Sequence, residues 1–111
     1  MRSENGGRAW SEPIIPPPIP GSSVKNAFGE PCPAFNRGAM CQGKGGRLYW
    51  GVATKNPSNP ELAETHLMTS DDGGRTWAYS CLIARDDKAS IHETSMHYTP
   101  NGDLVAFMRT T

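Results

Sequence analysis

The sequence predicts an all-β chain, and three observations carry that expectation. Glycine and proline are frequent, 12 and 10 of 111 residues, while only 36% are hydrophobic; such a balance favours short strands joined by turns over helices. A turn motif occurs twice, as Ser3-Glu4-Asn5-Gly6-Gly7-Arg8-Ala9-Trp10 and as Ser70-Asp71-Asp72-Gly73-Gly74-Arg75-Thr76-Trp77. The copies share Ser, Gly-Gly-Arg and Trp, with Asn for Asp and Ala for Thr in the first. Behind each copy comes a glycine-containing turn that feeds a strand, Gly45-Gly46-Arg47-Leu48-Tyr49-Trp50 and Asn101-Gly102-Asp103-Leu104-Val105-Ala106. Internal repetition of this kind points to stacked supersecondary units.

The elements follow in order. Residues 10–15 are expected to leave the first motif as a strand. Residues 13–20 hold five prolines in eight positions, which suits an extended surface connector. Residues 35–42 and 47–55 should form a hairpin, 65–70 should enter the second motif and 77–84 leave it. A second hairpin is expected from 93–99 and 103–109. No helix is expected.

The second motif has the chemistry of a tight turn. Ser70 and Asp72 are short polar side chains that bond the turn's own N–H groups, and Gly74 tolerates positive φ. Thr76 and Trp77 then begin the outgoing strand, with Trp77 as a large apolar anchor. Ser3, Asn5, Gly7 and Trp10 hold the same places in the first copy. The pattern Ser-x-Asp-x-Gly-x-Thr-Trp resembles the Asp-box, or BNR repeat, of the sialidase (neuraminidase) superfamily and related β-propellers. There the box joins the third and fourth strands of a blade and lies away from the active site. The resemblance implies that residues 1–111 are a fragment of a six-bladed β-propeller, with boxes at 3–10 and 70–77 and hairpins at about 35–55 and 93–109. A six-bladed ring needs about 24 strands, and this chain supplies about seven. The sequence begins inside a box without the strand that should enter it, so Met1 is expected to be an internal methionine or a misjudged start.

The second hairpin places one charged pair. Thr99-Pro100-Asn101-Gly102-Asp103 fits a type I turn with Gly102 left-handed as a bulge. Counting outward pairs Thr99 with Asp103, His97 with Val105, Ser95 with Phe107, and Glu93 with Arg109. Thr94, Met96, Tyr98, Leu104, Ala106 and Met108 then share a mostly apolar face suited to packing. By residue pattern alone, Glu93 and Arg109 are an ordinary cross-strand ion pair. The first hairpin aligns with the second at a shift of 56 residues, placing Arg37 at the Glu93 position and Ala53 at the Arg109 position. The scaffold repeats and the pair does not. Arg37 reads as a solvated strand charge or a rim contact.

In sialidases, a Glu on an inner strand and an Arg sixteen residues later, across a turn of this type, resemble Glu93 and Arg109. The resemblance implies that Arg109 binds the substrate carboxylate and that Glu93 is the general base activating a tyrosine nucleophile. It implies an exo-α-sialidase-like retaining glycoside hydrolase that removes terminal sialic acids, inactive as this chain alone. The other reading is a non-catalytic Asp-box propeller that binds carbohydrate or protein. Sialic acid carries a carboxylate on its anomeric carbon, so a neutral tyrosine, deprotonated by a nearby Glu, avoids the repulsion a carboxylate nucleophile would meet. The family's early Arg and acid Asp have no assignable counterpart, and its third Arg and nucleophilic Tyr would lie beyond Thr111.

Other candidates carry less. Eleven basic and eleven acidic residues cancel, so no charge excess points to nucleic acid, and no apolar run approaches a membrane-spanning length. The expected partner is a sialylated glycan or another carbohydrate; neither cofactor nor metal is expected. Cys32, Cys41 and Cys81 lack CxxC spacing and read as strand or loop thiols, with one disulfide if the protein is secreted. Asp71 and Asp72 lack the later oxygen ligands of a calcium loop. Gly38 to Gly45 nearly spells a phosphate-binding loop, but Gly45 replaces the required Ser or Thr and a strand follows. Tyr98 reads as core, His66 as structural, and His92 and His97 as surface or strand residues.

Overall fold

A computed structural model of the chain describes residues 1–25, 27–29 and 36–111. Six strands form two antiparallel sheets: β1 (Cys41–Gln42), β2 (Leu48–Asn56), β3 (Asn59–Ser70), β4 (Ala78–Ala84), β5 (Ile91–Tyr98) and β6 (Leu104–Thr110). Strands β1 to β4 pair in chain order as one meander, and β5 pairs with β6. The described residues include one 3₁₀ turn, Lys44–Gly46, and no helix long and apolar enough to cross a membrane.

The β2–β3 hairpin is the centre of the molecule. β2 is rich in aromatic and β-branched residues, which fill a pleated surface well. Asn56 and Asn59 shape the turn that follows, accepting the Ser58 N–H at 2.8 Å and the Glu61 N–H at 3.3 Å through their side-chain oxygens, as Asx turns do. Trp50 pairs with Met68 and Val52 with His66 across the hairpin, so these side chains share one face. Val52 and Met68 are fully buried there, capped by Ile19 from the proline-rich segment and flanked by Trp50, Trp77 and Tyr79. Burying Ile19, Val52 and Met68 stabilises the fold by about 1.5–3 kcal/mol each. Trp77 meets Trp50 edge to face with centroids 5.3 Å apart.

The opposite face of the hairpin carries Gly51, Ala53 and Thr65 and packs on β5. Gly51 is required by that approach, because a Cβ there would stand 2.6 Å from the Thr94 methyl carbon. Thr94 and Met96 are buried against it, and Thr94 Oγ1 donates to Thr65 Oγ1 at 3.2 Å. Tyr98 stacks on Tyr49, centroids 5.9 Å apart. Thr94, Met96 and Tyr98 thus use the face that the alternation predicts.

Three expected elements differ. Residues 10–15 form no strand, since Pro13 and the prolines after it have no N–H to pair; Trp10 and Ile15 are exposed. The strand expected over 35–42 is reduced to Cys41–Gln42, and its Phe35 end lies outside the described residues, as does Cys32. Residues 36–39 turn instead toward β5, where the Met96 N–H donates to Ala39 O at 2.9 Å and the Ala39 N–H to Ser95 Oγ at 3.2 Å. Gly38 permits this: a Cβ there would fall 1.8 Å from Thr94 O. The strand expected over 65–70 begins earlier, at Asn59.

The turn of the second hairpin forms as anticipated. Gly102, at φ +92°, donates its N–H to Thr99 O at 3.0 Å, and Thr99 donates to Asp103 O at 2.9 Å. His97 pairs with Val105 and Ser95 with Phe107. Beyond Ser95 the register slips at a bulge, so that His92, not Glu93, lies opposite Arg109. Cys41 and Cys81 are free thiols.

Candidate functional site

The bulge in β5 sets the geometry of the charged pair. Glu93 takes φ +52°, the left-handed region, and among the described residues it is the one non-glycine to do so. Such a conformation is costly for a side-chain-bearing residue and marks positions over-determined by their surroundings. The bulge removes the backbone pairing of Glu93 with Arg109, yet their side chains meet: Arg109 Nη1 donates to Glu93 Oε2 at 3.0 Å. Glu93 Oε1 lies 3.8 Å from Arg37 Nη1. The carboxylate therefore sits between two guanidinium groups, one hydrogen-bonded and one at ion-pair distance.

The charges around Glu93 tune it. The Arg109 hydrogen bond holds its carboxyl below the ordinary carboxylate range; partial burial opposes this, and the charges of Arg109, His92 and Arg37 add to the lowering. Beside the pair opens a cleft of about 310 Å³, lined by Asn36, Arg37, Lys55, Ser90, His92 and Glu93 among others. It runs between the far end of the β2–β3 hairpin and the start of β5. His92 Nε2 lies 3.2 Å from Thr111 Oγ1, and His97 is exposed.

The two turn motifs stand at the other end. Ser70 pairs with Leu48 and Ala63 with Lys55, which places the second motif roughly 23 Å from the cleft along β2 at the usual strand rise. Within it, Ser70 Oγ accepts the Gly74 N–H at 2.9 Å and donates to Asp72 Oδ1 at 2.8 Å. Asp72 accepts the Thr76 N–H at 2.9 Å and the Thr76 hydroxyl at 2.5 Å. The Thr76 hydroxyl and N–H are the leading reasons that the Asp72 carboxyl is held down at about 2. In the first motif, Ser3 Oγ accepts the Gly7 N–H at 2.8 Å and Asn5 Oδ1 the Ala9 N–H at 2.9 Å. Ala9 has no hydroxyl, so the last bond is missing there. Gly7 and Gly74 have matching φ values, +88° and +85°. Trp77 is anchored on Trp50, whereas Trp10 is 59% exposed and donates its indole N–H to Gly7 O. These nine residues build turns; none of them reaches the cleft.

A larger open hollow, about 620 Å³, lies between the motifs and is lined by Arg2, Glu4, Trp10 and Arg75 among others. Its charges satisfy one another: Arg2 and Arg75 both bond Glu4, and Arg2 also donates to Gly73 O at 2.8 Å.

One buried cluster was not anticipated from the sequence. Glu64 and His66, on one face of β3, are 1% and 3% exposed, with Glu64 Oε1 2.7 Å from His66 Nε2. Arg85 bonds the other Glu64 oxygen, and Tyr79 OH lies 3.4 Å from His66 Nδ1. Burial pushes the Glu64 carboxyl up, but the hydrogen bonds and charges of Arg85 and His66 outweigh it and leave it lowered. The spacing Glu-x-His on a strand is the signal that could have found the pair. No group of three or more His, Cys, Asp or Glu among the described residues is placed to hold a metal.

Neither a protein-family model nor a curated protein matches the chain. Among solved structures it is similar to a crystal structure of a protein of unknown function from Dyadobacter fermentans, at 47% identity and a TM-score of 0.91. The match covers 98% of this chain and 30% of that one, so the chain spans less than a third of its neighbour's length.

Proposed function

We propose that the chain is part of a sialidase-like β-propeller, and that its parent is an exo-α-sialidase-like retaining glycoside hydrolase releasing terminal sialic acids. The observation that carries this is the Glu93–Arg109 hydrogen bond at 3.0 Å, built across a bulged hairpin, with Glu93 lining a cleft. One feature supports the architecture: the second turn motif joins the third and fourth strands of a four-stranded meander, as the Asp-box does in a propeller blade.

In this reading Arg109 presents a planar fork of donors to the sugar carboxylate. Glu93, ionised at neutral pH, takes the phenolic proton of a tyrosine supplied by the rest of the protein. The tyrosine oxygen then attacks the anomeric carbon as the aglycone oxygen leaves with a proton from an acid group, and water later releases the sugar.

The test uses the complete protein and an aryl α-sialoside. Glu93→Gln should lower kcat about 100-fold or more, and Arg109→Ala should raise KM at least tenfold. A complete protein that neither binds nor cleaves the sialoside sinks the proposal. One observation favours the binding-only reading: the Arg109 hydrogen bond occupies Glu93 Oε2 and lowers its basicity. Sialoside binding that depends on Arg109, without turnover, would select that reading.

A further inference from the structure

We infer that the cleft beside Glu93 is an oxyanion site, in which Arg37 and Lys55 receive a second acidic group of an acidic oligosaccharide. Glu93 divides the local cations into two sets. Arg109 hydrogen-bonds Oε2 through Nη1, at 3.0 Å. Arg37 approaches Oε1 only to 3.8 Å, beyond a hydrogen bond, with its side chain 84% exposed. Its five N–H donors are therefore available to a ligand.

Lys55 lines the same cleft from the end of β2, is exposed, and has no carboxylate partner among the described residues. Ser90 completes the donor set. Its Oγ accepts the Ala63 N–H at 3.1 Å, which leaves the hydroxyl proton free to point at a ligand. Asn36 is not part of that set, because its side chain is used on Gly38 and Thr94. The cleft thus offers two cations and a hydroxyl, with the single carboxylate, Glu93, already neutralised by Arg109. An anion is the complementary ligand, held in the forked geometry that guanidinium gives to carboxylates and sulfates.

The placement of a first acidic group on Arg109 rests on the sialidase-like reading; the oxyanion site at Arg37 and Lys55 does not need it. Together they define a ligand with two neighbouring negative groups, one on each side of Glu93.

The experiment is an NMR titration of the 15N-labelled complete protein, first with inorganic sulfate. The Ser90, His92 and Glu93 amides should shift, with about fivefold weaker binding in Arg37→Gln and in Lys55→Gln. Both lost positions are exposed, and an unchanged spectrum elsewhere checks that each variant is folded. Arg37→Lys should restore part of the affinity. Sulfate that leaves these amides unmoved, or binds both variants as tightly as the parent, overturns the site. The second titration compares the methyl glycoside of sialic acid with an α2,8-linked disialic acid. At least tenfold tighter binding of the disaccharide, abolished by Arg37→Gln, is expected; equal affinities overturn the assignment of a second acidic group. Sulfate binding with neither sugar bound would remove the sialidase-like reading and the sugar ligand and leave the oxyanion site standing.

Discussion

Glu93 combines a left-handed backbone with a side chain shared by two arginines, and the two properties separate by substitution. Glu93→Gly keeps the conformation without its steric penalty, so its melting temperature should stay within a few degrees of the parent. Glu93→Val places a β-branched residue at φ +52° and should melt about 5–10 °C lower. A similar loss for both would mean that the side-chain bonds, and not the backbone, dominate. Asp72 makes a pH prediction. Its carboxyl is held at about 2 against an ordinary 3.8, so its contribution is complete above about pH 4 and is lost as pH falls toward 2. Asp72→Asn retains one acceptor, as Asn5 does in the first motif, and should flatten that part of the melting profile; parallel profiles between pH 5 and 2 would contradict it. The residue-scale chemistry of the turns was legible because it is local: Ser70, Asp72 and Gly74 act within five positions of chain. The meeting of Arg37 with Glu93 was not, because no rule of local spacing joins residues 56 apart.

At the scale of elements, the two motif tryptophans should differ sharply. Trp77 packs on Trp50 over the buried core, so Trp77→Ala should cost about 3 kcal/mol, while Trp10, 59% exposed, should cost under about 1 kcal/mol when replaced by alanine. Urea unfolding of both variants measures the difference. The hairpin turn at Thr99 to Asp103 was readable from Pro, Asn and Gly, and the register holds from it to Ser95. It fails at Glu93 because counting outward assumes no inserted residue, and a bulge is fixed by what the strand packs against. Here that is the 36–39 segment, bonded to Ser95 and Met96. The same segment explains the shortened β1: the alternation around Phe35 to Gln42 was compatible with a strand, but Gly38 fits under Thr94 O and draws the chain to the other sheet.

For the whole molecule, the decisive contact is the close approach of the two sheets at Gly51. Gly51→Ala would drive a methyl into Thr94 and should cost about 1–3 kcal/mol, shifting the urea midpoint without abolishing the fold. Glu64 works on the opposite face. Removing it as Glu64→Ala leaves His66 and Arg85 without their carboxylate and should cost about 2 kcal/mol, below the cost for a fully buried pair because Arg85 keeps some water. The Glu64 contribution is present above its ordinary 4.5 and disappears as pH falls through its lowered value. The all-β class was legible from composition and repetition. The Glu64 cluster was not, because Arg85 reaches it through a β3–β4 register with two bulges. The crossing of residues 36–39 from one sheet to the other has a final consequence for how the molecule opens. Its hydrogen bonds to β5 tie the second sheet to the first, so the protected amides of Met96 and Val52 should exchange with deuterium at similar rates, as members of one cooperative unit.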